Sequence, residues 1–412
     1  MTGFQKFAKV FMVALVGLAV LASASFATVG ASPDNARKTN TPSRTPTKTS
    51  TPTQVPVTPT ATSAPASSFA KGFDASYVKR VEDKGGVYKT AKNQPQDIFV
   101  LLAANGVTHV RFRLWNNPAD GYCNKADVLA LAMRAKAAGL KIMIDFHYSD
   151  GWADPGQQTK PAAWNSLNFT QLNQAVYDYS YDVVNAMIQQ GTPPDIIEVG
   201  NEITHGMLWP DGHVIMGDST YNTAAQWSNF AALVNSGING VKATGSNAQI
   251  MIHIASGDNA EMRWFFDNLI ANGVSFDVIG LSYYHNWHGT ISEMSANLSD
   301  MATRYGKPIL IAETAYPFTL GWNDWTNNVI GLEEQLSPGY PATVAGQTAF
   351  LQAVVNMAKA IPNNQGAGVF YWGGEWIATS PEDTDGSAWE NQALFDFNSK
   401  ALSTFNVFKN TP

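Results

Sequence analysis

The sequence predicts an α/β protein whose folded part is a single (β/α)8 barrel. From about residue 69 onward, short apolar runs that suit buried strands alternate with segments whose apolar residues recur at helical spacing. Eight such runs occur within roughly 340 residues, which is a typical number and size for this barrel. The alternative is an open, doubly wound sheet. Against it, residues 72–76 (GFDAS) lack the Gly-rich phosphate turn expected after the first strand.

The predicted strands are apolar and end in polar or aromatic residues. They span residues 71–76, 108–115, 140–146, 195–201, 249–254, 276–284, 308–313 and 366–372. The predicted helices span residues 125–138, 171–190, 223–244, 260–272, 292–305 and 347–361. Because the C-terminal ends of barrel strands meet at one face, the polar strand ends predict a functional site at that face.

The first 31 residues predict a signal peptide. Lys6 and Lys9 precede an apolar run over residues 10–21, and small residues that suit cleavage follow it. A short membrane anchor is the alternative, although the run is shorter than the roughly 20 apolar residues of a spanning helix. Residues 32–68 are rich in Thr, Pro and Ser and predict an extended linker. We therefore expect a secreted, extracellular protein with one folded domain over residues 69–412.

The composition excludes several classes of partner and cofactor. A formal net charge of -7 and the lack of a basic patch argue against nucleic acid. Cys123 is the only cysteine, so no intrachain disulfide is possible. The acidic run EDTDG (382–386) suggests calcium, but it lacks the full spaced ligand loop, and a solvated loop is the alternative. We expect no metal or cofactor, and a monomer with no membrane contact after signal cleavage.

Two glutamates stand out because each follows an apolar predicted strand. Glu202 closes PDIIEVGNE (194–202), and Glu313 closes KPILIAE (307–313). Their strands lie on different sides of a barrel, so the two carboxyls face each other across its mouth. One protonated and one ionised carboxyl can hydrolyse a glycosidic bond. A gap of about 5–5.5 Å indicates a retaining enzyme and one of about 6.5–9.5 Å an inverting enzyme. The alternative is that each glutamate only forms an ordinary salt bridge in its loop.

Polar residues at neighbouring strand ends suit supporting roles. Arg113 is predicted beside the ionised glutamate, where its charge would keep the carboxyl pKa low. Arg111 lies deeper in the same strand, and whether it serves the site or only a buried ion pair stays open. Asn201 is placed to bond a sugar hydroxyl, and His147 and Tyr284 to orient the carboxylates or bind hydroxyls. Glu198 lies deeper than Glu202 and is interpreted as structural.

Tryptophans concentrate in or beside the predicted strand-end loops. Sugar rings lie flat on aromatic rings, so a polysaccharide groove needs such platforms; packing in the core is the alternative, and it fits Trp372 least. The tryptophans are Trp115, Trp152, Trp164, Trp209, Trp287, Trp372 and Trp376.

Several motifs occur in one order along most of residues 71–397. The most specific is HYSDGWADPGQQ (147–158). The others are GFDAS (72–76), VRFRLWNNP (110–118), GNEI (200–203), GMLWP (206–210), SYY with WHG (282–284 and 287–289) and ETAYP (313–317). With these motifs the chain resembles the glycoside hydrolase family 53 enzymes, the endo-β-1,4-galactanases.

The resemblance implies a retaining mechanism on β-1,4-galactan, the side chains of pectin, with Glu202 as acid/base and Glu313 as nucleophile. It implies that Asn201, Arg113, His147 and Trp372 surround the reacting sugar. The further candidate substrate-binding residues are Trp115, Asp150, Trp152, Tyr284 and Trp287. Some members of the family bind calcium, but we do not expect the same site here. Residues 320–325 (LGWNDW) depart from the spaced aspartates expected of those members. His285 stands where proline is common, which could alter a subsite.

Two other functions stay open at this point. One is a β-1,4-mannanase, xylanase or glucanase, which would share the strand-end glutamates but leaves the motif at 147–158 unexplained. The other is a non-catalytic carbohydrate-binding barrel on a Thr/Pro-rich linker, which would use the aromatic residues but leave both glutamates without a role.

Overall fold

The structure of the protein is a computed structural model that describes residues 69–379 and 386–412. The predicted signal peptide (1–31), the predicted linker (32–68) and residues 382–385 of the acidic run lie outside the described residues. Within the described part, no helix is both long and apolar enough to cross a membrane.

Eight parallel strands close into a barrel in which each strand pairs with the next and the last pairs with the first. They are β1 (Ala70–Asp74), β2 (His109–Leu114), β3 (Lys141–Phe146), β4 (Ile196–Val199), β5 (Gln249–Ile254), β6 (Val278–Ser282), β7 (Ile309–Thr314) and β8 (Gly366–Tyr371). The predicted barrel is confirmed. Predicted strands 195–201 and 276–284 extend beyond β4 and β6, because their last residues leave the sheet to form the site.

Helices cover the outside of the barrel, and all six predicted helices are present. The helices are α1 (Val78–Asp83), α2 (Ile98–Ala104), α3 (Lys125–Ala137), α4 (Phe169–Gln189), α5 (Ala224–Ala243), α6 (Asn259–Ala271), α7 (His285–His288), α8 (Ile291–Tyr305), α9 (Val344–Lys359) and α10 (Asn406–Asn410). The helix α2 was not predicted, because its sequence IFVLLAA contains no polar residue and therefore shows no helical period. Asp97 starts this helix by accepting from the backbone N–H groups of Phe99 and Val100.

The lower half of the barrel interior is filled by apolar side chains. They are Ala70, Met143, Ile196, Met251, Val278, Leu310, Ala312 and Phe370. The Phe370 ring fills the space beside Gly72, where a Cβ atom would lie 2.1 Å from it. A much larger apolar cluster packs between the strands and the surrounding helices. The barrel is therefore a packed core at this level and not a pore.

Along several strands, the side chains that point into the barrel change from apolar to polar or charged between one inward-facing residue and the next. Residues two apart point to the same face of a strand. On that face Met143 is followed by Asp145, Ile196 by Glu198 and Met251 by His253. These polar side chains are buried. The structure thus builds a polar layer near the C-terminal ends of the strands, directly above an apolar one.

Candidate active site

Arg111 lies at the centre of this polar layer and is 1% exposed. Its Nε and Nη2 atoms donate to the two carboxylate oxygens of Glu198, both at 2.9 Å. Its Nη1 donates to Glu313 Oε1 at 2.7 Å and to Asp74 Oδ2 at 3.2 Å. Its Nη2 also lies 2.9 Å from Asp145 Oδ2. One guanidinium therefore faces four carboxyl groups, and it cannot neutralise all of them at once.

Glu313 enters the barrel interior through an irregularity in β7. Leu281 of β6 pairs with Ile311, but the next residue, Ser282, pairs with Glu313, so β7 carries one extra residue here. Leu310 points into the barrel, and simple alternation would therefore have turned Glu313 outward with Ile311. A bulge of this kind re-aims a side chain, and here it directs the carboxylate to the polar layer.

Both carboxylate oxygens of Glu313 accept hydrogen bonds. Arg111 donates to Oε1, and the Tyr284 hydroxyl donates to Oε2 at 2.8 Å. Burial raises the pKa of Glu313 above its ordinary value, and Arg111, His253 and the Tyr284 hydroxyl offset only part of this rise. Because both oxygens serve as acceptors, the contacts favour the ionised carboxylate.

Glu202 follows β4 in a left-handed backbone conformation, with φ 47° and ψ 48°. Such angles are uncommon for a residue other than glycine and tend to occur at functional sites. They turn the side chain toward β6, where Glu202 Oε1 lies 2.6 Å from Ser282 Oγ. Unlike Glu313, the half-buried Glu202 has no hydrogen bond to Arg111.

The two glutamates form a close pair with different environments. One oxygen of Glu202, one oxygen of Glu313 and one ring nitrogen of His253 all lie within 4.8 Å of one another. Burial and the neighbouring Glu313 raise the pKa of Glu202 well above its ordinary value. A protonated carboxyl beside an ionised one can donate a proton to one atom of a substrate while the other attacks its neighbour.

The prediction that Arg113 flanks the ionised glutamate is corrected, because Arg111 makes that contact. Arg113 lies one step further along β2, and its guanidinium sits 4.0 Å from the ring centroid of Trp152 and 4.7 Å from that of Trp115. It also lies 4.4 Å from the ring of Tyr77. Arg113 therefore supports the aromatic wall of the site instead of the carboxylate pair.

Three of the predicted substrate-binding residues make hydrogen bonds to other groups of the protein. His147 accepts from the Ala153 backbone N–H at Nδ1 and contacts Asp145 through Nε2 at 2.9 Å. Asp150 accepts backbone N–H groups at both oxygens, from Asn117 and Ala162, and so joins two loops.

The third of these residues is Asn201. Its amide donates to the Ala153 carbonyl and its oxygen accepts from Arg111 Nη2, both at 2.7 Å. All three side chains therefore make hydrogen bonds that order the site and its loops, and Asn201 keeps a second amide N–H beyond them.

Aromatic residues form a continuous wall along one side of the pair. Trp372 contacts Trp152, Trp376 and Trp389, with ring centroids 6.2, 4.8 and 4.4 Å away, and Trp389 in turn contacts Trp287. Trp287 is 54% exposed and Trp152 is 38% exposed, so both offer open faces, whereas Trp372 is 8% exposed.

Tyr77 and Trp389 also belong to this wall, although neither was predicted from the sequence. Tyr77 lies shortly after the end of β1, in the loop before α1, and Trp389 lies in the segment after β8. The position of each after a strand end was the available signal.

Residues 70–408 match the model of glycosyl hydrolase family 53. The chain belongs to this family. It is 44% identical over 345 residues to an uncharacterised protein of Niallia circulans, with 83% of this chain and 94% of the relative covered. It is 37% identical over 358 residues to a Cellvibrio japonicus protein named arabinogalactan endo-β-1,4-galactanase, covering 84% and 92%. The solved family 53 catalytic domain of Ignisphaera aggregans matches with a TM-score of 0.78 and 37% identity, covering 84% and 97%.

Glu202, His253 and Glu313 are the one group in the described part of this family 53 chain whose donor atoms are close enough to hold a metal ion. Both ring nitrogens of His253 are already within hydrogen-bond distance of protein atoms, namely Glu198 Oε1 and Ser282 Oγ. The histidine therefore has no free nitrogen to offer, and the group is better described as a hydrogen-bonded carboxylate site.

Replacing Arg111 by Met should destabilise the fold in a pH-dependent way. Removing one partner of a buried ion cluster costs about 3–5 kcal/mol. Without the cation, burial holds the carboxyl pKa values above those of the unfolded chain. The loss in free energy of unfolding is therefore present at pH 7, and it shrinks as the pH falls to about 4 and the buried carboxyls take up protons. Urea unfolding at both pH values measures it.

Arg134→Met is the matched control, because Arg134 pairs with Glu82 and Asp97 at the surface. Its loss should cost at most about 1 kcal/mol. A loss for Arg111→Met no greater than that of the control, or one equal at both pH values, would contradict this account.

Proposed function

We propose that this chain is an endo-β-1,4-galactanase that cleaves the galactan side chains of pectin by a retaining double displacement. In this proposal Glu202 is the acid/base and Glu313 is the nucleophile. The observation that carries it is the asymmetric carboxyl pair: Glu313 is bonded by Arg111 and Tyr284, whereas Glu202 is bonded by the Ser282 hydroxyl and not by Arg111 in the described part of the chain. The family and the name of the Cellvibrio japonicus relative support the substrate.

The reaction divides into two steps. In the first, Glu202 gives its proton to the glycosidic oxygen while Glu313 attacks the anomeric carbon, so the leaving chain departs and a glycosyl ester forms. In the second, Glu202 is ionised and takes a proton from water, whose oxygen attacks the same carbon and releases Glu313. The supporting bonds of Glu313 favour its charged state before the attack and again after release.

The separation of the carboxyls favours retention. Retaining glycosidases hold the two groups about 5–5.5 Å apart, while inverting enzymes need about 6.5–9.5 Å to admit a water molecule. Here one oxygen of Glu202 and one oxygen of Glu313 lie within 4.8 Å of each other, which is nearer to the separation of the retaining enzymes.

The aromatic wall suits a sugar chain. The open faces of Trp152 and Trp287 offer stacking surfaces for sugar rings on one side of the carboxyls. We propose that Trp115, Trp372 and Arg113 act mainly by holding this wall, and that Asn201 and Tyr284 contact the reacting sugar. A chain that binds along such a wall can be cut internally.

The substrate and the pair are tested together on linear β-1,4-galactan, with xylan, mannan and a soluble cellulose derivative alongside. Wild type should release new reducing ends from galactan, and Glu202→Ala and Glu313→Ala should each lose about 10²–10⁴-fold in kcat. Glu334→Ala is the control because Glu334 is an exposed glutamate of the loop between β7 and α9 and is not one of the two strand-end carboxyls.

Each alternative function has its own outcome in this panel. Release from another glycan alone would replace the galactan assignment with a mannanase, xylanase or glucanase. Galactan binding without cleavage at any pH would indicate a carbohydrate-binding barrel, and full activity of Glu313→Ala would refute the mechanism.

The stereochemistry of the first product tests the retaining step. The new reducing end should appear as the β-anomer before mutarotation, since two displacements at one carbon restore its configuration. Proton NMR in the first minutes of hydrolysis measures it, and an initial α-anomer would require an inverting mechanism in its place.

We also propose that the protein is exported and works outside the cell, on the basis of the charged and apolar pattern of residues 1–31. Mature protein recovered from the culture medium should begin after residue 22 and no later than about residue 32, as read by N-terminal sequencing. Recovery of the full-length chain from the membrane fraction would favour the anchor.

A further inference from the structure

Glu202 lies in the loop that follows β4, beyond the residues that the barrel sheet pairs. β4 ends at Val199, and we call residues 200–205, which come directly after it, the acid loop. The left-handed conformation of Glu202 is uncommon for a residue other than glycine and persists only where the surrounding structure holds it. The contacts of the acid loop therefore decide where the Glu202 carboxyl lies.

One of these contacts comes from Gln158, which lies in the loop after β3 and is 2% exposed. Its amide nitrogen lies 2.9 Å from the Asn201 carbonyl oxygen and 3.2 Å from that of Asp154. A carbonyl oxygen can only accept, so the nitrogen donates one hydrogen to each, and both N–H groups of the amide are used. The bond to Asn201 holds the peptide group that joins this residue to Glu202.

The turn that carries Gln158 is itself well fixed. Asp154 and Gln157 exchange two backbone hydrogen bonds, at 2.8 and 3.0 Å. The Asp154 carboxylate also accepts from the Gly156 backbone N–H at 2.7 Å. The Gln158 carbonyl accepts from the Trp209 backbone N–H at 2.8 Å. Gln158 is therefore bonded to the chain on both sides of Glu202, from a turn whose shape is set by its own hydrogen bonds.

A second contact holds the other side of the acid loop. Thr204 is 1% exposed, and its hydroxyl accepts from the Ala255 backbone N–H at 2.9 Å and donates to the Ala255 carbonyl at 3.1 Å. Ala255 directly follows β5, and β3 and β5 are the two strands that pair with β4. The acid loop is thus bonded to the loops that follow both neighbouring strands, and Glu202 lies between the two attachments.

We propose that Gln158 and Thr204 are positioning residues that hold Glu202 within proton-transfer distance of the glycosidic oxygen. Both act through the backbone of the acid loop and need not touch the substrate. A general acid must lie within hydrogen-bond reach of the atom that it protonates, and a misplacement of about 1 Å can cost about 10²-fold in rate. The proposal rests on the proposed function, because it takes Glu202 to be the acid/base.

The first test measures kcat and KM on linear β-1,4-galactan. Gln158→Met keeps a side chain of similar size but removes both N–H donors, which leaves the Asn201 carbonyl free to turn. The kcat of this variant should fall about 10–100-fold. KM should change less than about twofold, because the variant leaves the tryptophan faces that stack against sugar rings in place.

Gln157→Met is the matched control, because Gln157 is the same residue type at the adjacent position. Its side chain is exposed and donates to the Asp154 carboxylate, which lies outside the acid loop. The kcat of this control should stay within about twofold of the wild type.

A second substrate separates a misplaced acid from general damage to the fold. The leaving group of 2,4-dinitrophenyl β-1,4-galactobioside departs as an anion when Glu313 attacks the anomeric carbon, so this step needs no proton from Glu202. Gln158→Met should therefore lose much less in the rate of dinitrophenolate release in the first turnover than in kcat on galactan.

Azide tests the second step on the same substrate. As an anion it attacks the anomeric carbon and breaks the bond to Glu313 without a base, and the product is the β-glycosyl azide. Azide should therefore raise the turnover of Gln158→Met, as it should for Glu202→Ala. Thr204→Val removes the hydroxyl on the other side of the acid loop and should give the same pattern, which keeps the test valid if Gln158→Met does not fold.

Two results would overturn the positioning role alone. One is an equal loss on both substrates without an azide effect in Gln158→Met, while azide does raise the turnover of Glu202→Ala; Gln158 would then be a purely structural residue. The other is wild-type kcat in both Gln158→Met and Thr204→Val. A wild type that is inactive on galactan, or a Glu202→Ala variant with full activity, would overturn the proposed function and this proposal with it.

Discussion

The site depends on one buried guanidinium that faces too many carboxylates. Arg111 lies within ion-pair distance of Asp74, Asp145, Glu198 and Glu313. Coulomb repulsion among buried carboxylates is strong, so a group that lacks direct contact with the cation takes up a proton more readily than its neighbours. The differing environments of Glu202 and Glu313 follow from which of them Arg111 contacts, and not from any difference between the two side chains.

Backbone irregularities decide which carboxyl the cation reaches. The extra residue in β7 brings Glu313 onto Arg111, while the left-handed conformation of Glu202 carries that side chain toward Ser282 instead. An ideal barrel would have offered neither position, because alternation would have sent Glu313 outward. The fold supplies the strand ends, and departures from its regular geometry supply the asymmetry.

These departures also mark what the sequence could and could not predict. The eight strands, the two glutamates and the face on which they meet follow from apolar runs that end in carboxylates. The sequence did not predict which arginine, Arg111 or Arg113, contacts the glutamate, because strand alternation points both into the barrel. Their contacts differ because Arg111 lies deeper and because aromatic rings surround Arg113. The position of Glu313 inside the barrel was predicted without its cause, since a bulge leaves no mark on hydrophobic periodicity.

The charged layer itself argues for function over stability. A buried ion cluster is often no more stabilising than apolar side chains of similar size, because desolvation offsets the attraction. The same strands also carry an apolar layer, because Met143, Ile196 and Met251 fill the interior directly below Asp145, Glu198 and His253. Folding alone therefore gives no reason for the upper layer to be charged. The proposed catalytic pair does give one, since an ionised Glu313 beside a protonated Glu202 needs a cation that contacts one carboxyl and not the other.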